Sequence, residues 1–385
     1  MVSSKRNILK QDLLSILDGL GRKRGLDREV LLKVLEEAIL SASRKSFASL
    51  SDIEVSIDRV SGEIKVFSEK KEVALGNFGR IAAQIARQVI SQRLNEAERD
   101  SIYNEFKEKV GGIITGVVER FERGDVIVMI GEREAIVHSQ ERPAGERFRV
   151  GERITAYVLE VKKSGSYPQI ILSRSNPGMV RGLFELEVPE IHEGIVEIKS
   201  IAREPGSRSK VAVGSTLANV DPVGACVGAR GMRVKAIMQQ LNGEKVDIIH
   251  WDEKIENFIA NALRPAKIMK IEVNEKRKAA NIIVSDEELS LAIGKGGQNV
   301  RLAVELTGWK ISIEGETEVI KARRVAIDKL TKLSGVGERL AENLIEAGLR
   351  ELEEIATADI KRLTSIAGIG KSKADALKKA AEKVV

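Results

Sequence analysis

Two short glycine runs, each with cations inside or just behind it, carry the most specific chemistry in this chain. The first is Gly228-Ala229-Arg230-Gly231, followed by Arg233 and Lys235; the second is Gly294-Lys295-Gly296-Gly297, followed by Arg301. Glycines at the ends of such a turn let the backbone bend sharply and leave no Cβ to block a close approach. The apolar spacing after each run predicts a helix, and a helix that starts there begins with N–H groups that have no partner of their own. Those groups, with the positive end of the helix dipole, attract anions, and phosphate is the anion they fit best.

The two runs belong to a duplicated unit. Gly228 maps to Gly294, Gly231 to Gly297 and Val234 to Val300, always 66 residues apart. The offset falls to 65 after the second helix, where Gly243 maps to Gly308 and Ile248 to Ile313. Self-similarity at a fixed offset marks a repeated structural unit. The expected order in each copy is strand, strand, helix, G-x-x-G, helix, strand. The hairpins span 194–213, around the turn Arg203–Ser209, and 268–284, around Asn274–Lys278; residues 251–263 should form the helix leading into the second copy. A lone G-x-x-G is more often a plain helix–helix turn. Two in matching contexts point instead to KH-type clamps, each holding about four nucleotides of single-stranded nucleic acid. Arg203, Arg208 and Lys210, in the first hairpin, are added to the RNA-binding set.

The remaining segments must position these clamps. Residues 111–174 read as five short strands, 113–120, 125–130, 134–137, 153–161 and 169–173, which suggests a small OB barrel. Such barrels hold single strands on aromatic platforms flanked by cations, so Phe121, Phe148, Tyr157 and Tyr167 are candidates, with Arg123 and Arg149 nearby. Core packing is the alternative role for each aromatic. Residues 1–110 read as helical, with Leu9, Leu13, Leu14 and Leu17 on one helix. Asp27 should cap a second helix bearing Leu31, Val34, Leu35, Ala38 and Ala42. A hairpin follows at 52–67, then a long helix from Gly79 to about Lys109. The tail repeats at an offset of 33, Gly335-Val336-Gly337 onto Gly368-Ile369-Gly370, which predicts paired helix-hairpin-helix turns. Those turns suit either DNA phosphates or a protein-docking bundle.

Composition narrows the classes. The 385 residues are too many for one ordinary core. No apolar run approaches the roughly 18 residues of a membrane helix, and the N-terminus does not read as a signal peptide. The single cysteine, Cys226, reads as a small buried residue in a reducing, cytoplasmic protein. The three histidines stand far apart, and there is neither a zinc-like cluster nor a Walker loop nor a nucleophile elbow, so no cofactor, metal or catalytic residue is expected. Net charge is +6, yet residues 187–316 carry 18 basic and 19 acidic side chains. The duplicated region therefore works through local patches and backbone donors, not a bulk positive field.

The order of parts resembles the bacterial transcription elongation and termination factors of the NusA family over essentially the whole chain. Gly79–Arg99, Glu204–Val213, Asp221–Gly231, Asn242–Trp251 and Ala292–Val300 carry the resemblance. It implies a multidomain α+β protein. Its parts would be a mainly helical N-terminal domain with a β-hairpin (1–110), an S1-type OB β-barrel (111–176), two tandem type II KH domains (177–251 and 252–316) and a C-terminal helix-hairpin-helix bundle (317–385). It also implies a non-catalytic, monomeric factor whose head docks on RNA polymerase core and whose S1–KH–KH block engages nascent single-stranded RNA. Such a factor modulates pausing, hairpin-dependent termination and antitermination, and joins other antitermination and elongation factors. The family's tails are often acidic whereas this one is slightly basic. Two other classes share some of these parts. A phosphorolytic RNA-processing enzyme also carries KH and S1 units, but no large catalytic domains precede them here; a DNA-repair adaptor would rest on the tail alone.

Overall fold

The computed structural model of the chain describes residues 28–46, 52–69, 71–72, 78–163, 165 and 167–382. The helix expected around Leu9–Leu17 and the Asp27 cap lie outside them.

In the N-terminal segment, helix α1 (Arg28–Ser46) packs on the hairpin β1 (Ile53–Ile57) and β2 (Ile64–Ser68), with the short β3 (Lys71–Glu72) at its edge. The buried face of α1 is Leu32, Leu35 and Ile39, at 3–4 spacing. Of the expected face, Leu35 is buried and Val34 and Ala38 are half-buried. The side chains of Leu31 and Ala42 lie outside the described residues. Arg59, after β1, pairs with Glu29 at 2.9 Å and with Glu36, and Glu36 also accepts the Ile57 N–H at 2.8 Å. The long helix α2 (Phe78–Lys107) follows, and its C-terminal half buries Ile102 and Phe106.

Five strands then close into a barrel: β4 (Ile113–Glu122), β5 (Asp125–Ile130), β6 (Arg133–Val137), β7 (Arg153–Lys162) and β8 (Gln169–Ser173). Their order is β4-β5-β6-β8-β7, with β5 and β6 antiparallel and β6 and β8 parallel. Five strands in this order form an OB-type barrel. Alternation fills its interior with residues such as Val118, Val126, Val128, Ala135, Val137 and Ile170.

The duplicated region follows the predicted order. In the first copy these elements are α3 (Pro177–Glu187), the short α4 (Pro189–His192), β9 (Val196–Glu204), β10 (Arg208–Ser215), α5 (Pro222–Val227), α6 (Met232–Gln240) and β11 (Lys245–His250). The second copy is α7 (Ile255–Ala262), β12 (Ile268–Asn274), β13 (Ala279–Val284), α8 (Asp286–Ile293), α9 (Gln298–Thr307) and β14 (Lys310–Gly315). Each copy has a three-stranded sheet with the hairpin antiparallel and the last strand parallel to the middle one.

One apolar core runs through both copies. Ala202, Ala212 and Ile249 of the first copy join Phe258, Ile259, Leu302, Ala303 and Leu306 of the second. Polar contacts reinforce the seam: the Ser200 hydroxyl donates to the Leu306 carbonyl at 2.9 Å, and the Gln298 amide donates to Glu204 at 2.6 Å and Ser207 at 2.7 Å. The two copies are therefore packed together, not strung on a linker.

The tail has its own core, built by α10 (Glu316–Leu330), α11 (Glu338–Glu346), α12 (Leu352–Thr357), α13 (Ile360–Thr364) and α14 (Lys371–Glu382). Gly335 and Gly368 sit at φ 87 and 88°, and Val336 and Ile369 are buried behind them. The repeat at 33 thus makes two equivalent hairpins. Glu338 is exposed at the start of α11, which weakens phosphate attraction at the first hairpin.

Candidate nucleic-acid interface

The two G-x-x-G turns share one backbone conformation. Gly228 has φ 72° and ψ 174°, and Gly294 has 75° and 168°. The third residues match as well: Arg230 at φ 53°, ψ 24° and Gly296 at 58°, 26°. Gly231 and Gly297, at φ 74 and 78°, lead directly into α6 and α9, and neither helix has a side-chain cap. First-turn N–H groups without a side-chain acceptor suit an external anion.

Sterics fix the first glycine of each turn. A Cβ on Gly228 would meet the Arg233 Cγ at 2.7 Å, and one on Gly294 would meet the Asn299 Cβ and N at 2.8 Å. The residue five positions on therefore packs under the turn and braces it. Arg233 donates to the Ala225 carbonyl at 2.6 Å and to Glu190 at 2.9 Å. Asn299 donates to the carbonyls of Leu263, Ala292 and Leu291 at 3.0, 3.1 and 3.3 Å.

The predicted cations consequently divide into exposed and engaged ones. Ala229 and Arg230, at the tip of the first turn, and Lys295 and Gly296, at the tip of the second, are exposed. Lys235 is exposed too, with its Cε 3.8 Å from where a Gly231 Cβ would stand. Arg301, its counterpart, lies beside Gly297, donates to the Gly296 carbonyl and pairs with Glu204 at 2.7 Å. Arg233 is a brace, already satisfied by protein partners.

Two cations of the first hairpin, Arg203 and Lys210, require correction. Arg203 has 1% of its side chain exposed; it pairs with Glu244 at 2.9 Å and donates to the Asn176 carbonyl at 2.7 Å. Lys210 is fully buried, 3.4 Å from both Asp247 and the Arg264 carbonyl, and burial lowers the pKa of its ammonium. Arg208 is held by Asp247 at 2.6 and 2.9 Å. Arg203 faces the helices of its own copy, while Lys210 lies on the opposite face, beneath the second copy. Neither presents charge to solvent.

The barrel candidates also separate. Phe121 is 47% exposed and Arg123 and Arg149 are exposed. Phe148 is half-buried, with the Arg174 guanidinium 5.6 Å from its ring centroid. Arg174 itself is buried, paired with Glu146, and donates to the carbonyls of Thr155 and Gln240. Tyr157 packs so closely on the start of α3 that a Cβ on Gly178 would lie 2.4 Å from its ring. Tyr157 is a packing residue. Tyr167 is 52% exposed.

The sequence reading missed the apolar surface beside the turns: Met232 is 65% exposed, and Leu291 and Ile293 are 50% and 36% exposed. Apolar residues at the end of a helix that borders an anion site were the available signal. Surfaces of this kind next to phosphate donors suit unstacked bases.

Comparison with known proteins places these parts in one family. The NusA-like first KH domain matches residues 174–251 and the NusA-like second KH domain residues 255–321. The NusA N-terminal domain matches 12–74 and 70–100, and a SAM-like helix-hairpin-helix tandem matches 327–383. The transcription termination/antitermination protein NusA of Bacillus subtilis is 41% identical over 342 residues, covering 80% of this chain and 92% of that protein. The NusA protein of Rickettsia conorii is 40% identical over 401 aligned positions, covering 94% and 80%. That of Mycobacterium bovis is 43% identical over 313, covering 76% and 90%. By these matches this chain belongs to the family of transcription termination/antitermination proteins NusA.

Proposed function

We propose that this chain is a non-catalytic transcription factor that binds RNA polymerase core through residues 1–110 and grips nascent single-stranded RNA with its two G-x-x-G turns. It acts in the cytoplasm as a monomer, alongside other elongation and antitermination factors. The working parts are the head at 1–110, the barrel at 111–176, the clamps at 177–251 and 252–316, and the tail at 317–385. The observation that carries the reading is the pair of turns with matched dihedral angles, each opening an uncapped helix, fixed to one shared core. Phosphates sit at Ala229-Arg230 and Lys295-Gly296, with Lys235 and Arg301 alongside. On the barrel, Phe121 and Arg123, and separately Phe148 and Arg149, are further RNA contacts.

Docking on polymerase holds these weak clamps at high effective concentration near the transcript. Their differential grip then shifts the balance between elongation and pausing by about 1–3 kcal/mol, the usual scale of coupling between sites. The same balance governs hairpin-dependent termination and antitermination. The test is capture of RNA polymerase core by the full chain, paired with pause lifetimes measured with and without it. Capture with altered pausing supports the reading; neither capture nor a change in pausing overturns it.

A further inference from the structure

The two copies differ in what covers the sheet face turned away from their own helices. In the first copy that face includes Ala202, Lys210, Ala212 and Ile249, all buried beneath the second copy. Strand register gives the equivalent positions. Lys210 is flanked by Ala202 and Asp247, and Asn281 by Glu272 and Ser312. The Lys245 N–H donates to the Ser207 carbonyl as the Lys310 N–H donates to that of Lys278. On this alignment Ala202, Ala212 and Ile249 become Glu272, Ile283 and Glu314.

The equivalent face of the second copy is open. It forms a hollow of about 520 Å³ lined by Glu272, Asn274, Asn281, Lys310 and Ser312 among others. The small and apolar residues that seat a helix on the first copy are replaced mainly by carboxylates, so a packed helix is not what this face fits. Its groups suit base edges instead. The Ser312 hydroxyl donates to the Asn281 Oδ1 at 2.7 Å, and Glu272 is held by Lys270 at 2.8 Å. Amides and carboxylates in such positions read the donors and acceptors of unstacked bases. At one end of the hollow the turn Lys276-Arg277-Lys278 and Lys310 stand exposed, with no ion pair among the described residues. Four cations beside a polar sheet complement a phosphate backbone.

We propose that the open sheet face of the second copy is an additional single-stranded RNA site, separate from its G-x-x-G turn. Bases lie over Asn281 and Ser312, and phosphates lie against Lys276, Arg277, Lys278 and Lys310. The proposal rests on the RNA-binding reading above and extends the footprint beyond two clamps of about four nucleotides each.

The test compares single-stranded RNAs of about eight and about fourteen nucleotides, both carrying 4-thiouridine, on the full chain. One variant reverses the turn (Lys276→Glu, Arg277→Glu, Lys278→Glu), and a second, which only trims side chains on the open face, is Asn281→Ala with Ser312→Ala. The turn variant should weaken the longer RNA about tenfold at 0.1 M salt and leave the shorter one unchanged, in line with loss of two or three phosphate contacts. Crosslinks from the longer RNA should fall in residues 279–284 and 310–314, and the Asn281/Ser312 variant should remove them. Unchanged affinity for the longer RNA in both variants overturns the site. So does capture of a protein, instead of RNA, by this face. Aspartates in the G-x-x-G turns report separately: if they weaken the eight-nucleotide RNA, the clamp reading stands even when the sheet site fails.

Discussion

Arg233 and Asn299 occupy the same place in the two copies, 66 residues apart, and brace the same carbonyl with different chemistry. Arg233 donates to the carbonyl of Ala225 and Asn299 to that of Leu291, the matching residue of the preceding helix. In both cases a side chain from the second helix passes under the first glycine and ties off the end of the first helix. The turn is thereby held in shape before any ligand arrives, which lowers the ordering cost of binding.

The exposed tips of the turns should be separable from this framework. Replacing Ala229-Arg230 and Lys295-Gly296 with aspartates puts negative charge at the proposed phosphate position of each turn. Arg230 and Gly296 already sit in the left-handed region, which aspartate tolerates better than most residues. RNA affinity should fall about tenfold or more per clamp, by roughly 1.4 kcal/mol each, while circular dichroism stays native. Native spectra with unchanged affinity would show the clamps are misassigned.

The first and last glycines of the turn should respond differently to alanine. Gly228→Ala brings a Cβ within 2.7 Å of Arg233 and also strains φ, so it should cost about 2–3 kcal/mol in urea unfolding. At Gly231 the nearest atoms stand 3.8 Å away, leaving only the left-handed backbone penalty of about 1–2 kcal/mol. Equal losses at the two sites would contradict the bracing role of Arg233.

Arg203 should matter to stability and not to RNA. Arg203→Ala leaves Glu244 buried without its counter-charge, which costs about 3–5 kcal/mol. Affinity for RNA, corrected for the folded fraction, should match the unmodified chain. A specific loss of affinity in the folded protein would restore Arg203 to the RNA surface.

Glu204 links the two copies, and its carboxyl titrates below the usual range because the Gln298 amide, then Arg301, hydrogen-bond to its charged form. A depressed folded pKa means stability is fully present above the ordinary value of 4.5 and is lost as pH falls through the folded value. Melting temperature should therefore drop on acidification below about 4.5, and Glu204→Gln should flatten that part of the curve. A variant with an identical acid profile would remove Glu204 from the seam.

Cys226 is fully buried in α5, and desolvation pushes its thiol up to about 12. The thiolate is the reactive species, so the native chain should not react with an aromatic disulfide reagent at pH 8, whereas the denatured chain should release one equivalent at once. Rapid reaction in the native state would place the thiol at the surface.

Much of this molecule is written locally. The offset of 66, the glycine spacing and the alternating strands of the barrel depend on periodicity and backbone preference, which neighbouring residues determine, and the elements formed close to where those patterns place them. The availability of each cation is a different kind of fact. Arg203 and Lys210 lie on opposite faces of one hairpin, and both look like surface charges in a basic, turn-rich stretch. Glu244, 41 residues further on, meets one, and the second copy covers the other. Lys276, Arg277 and Lys278, on the equivalent turn, are exposed, as are Pro205, Gly206 and Ser207 of the first copy. Sequence alone thus determined where the two glycine turns stand and how their backbones bend; tertiary packing alone decided which charges reach solvent, because burial depends on partners distant in the chain.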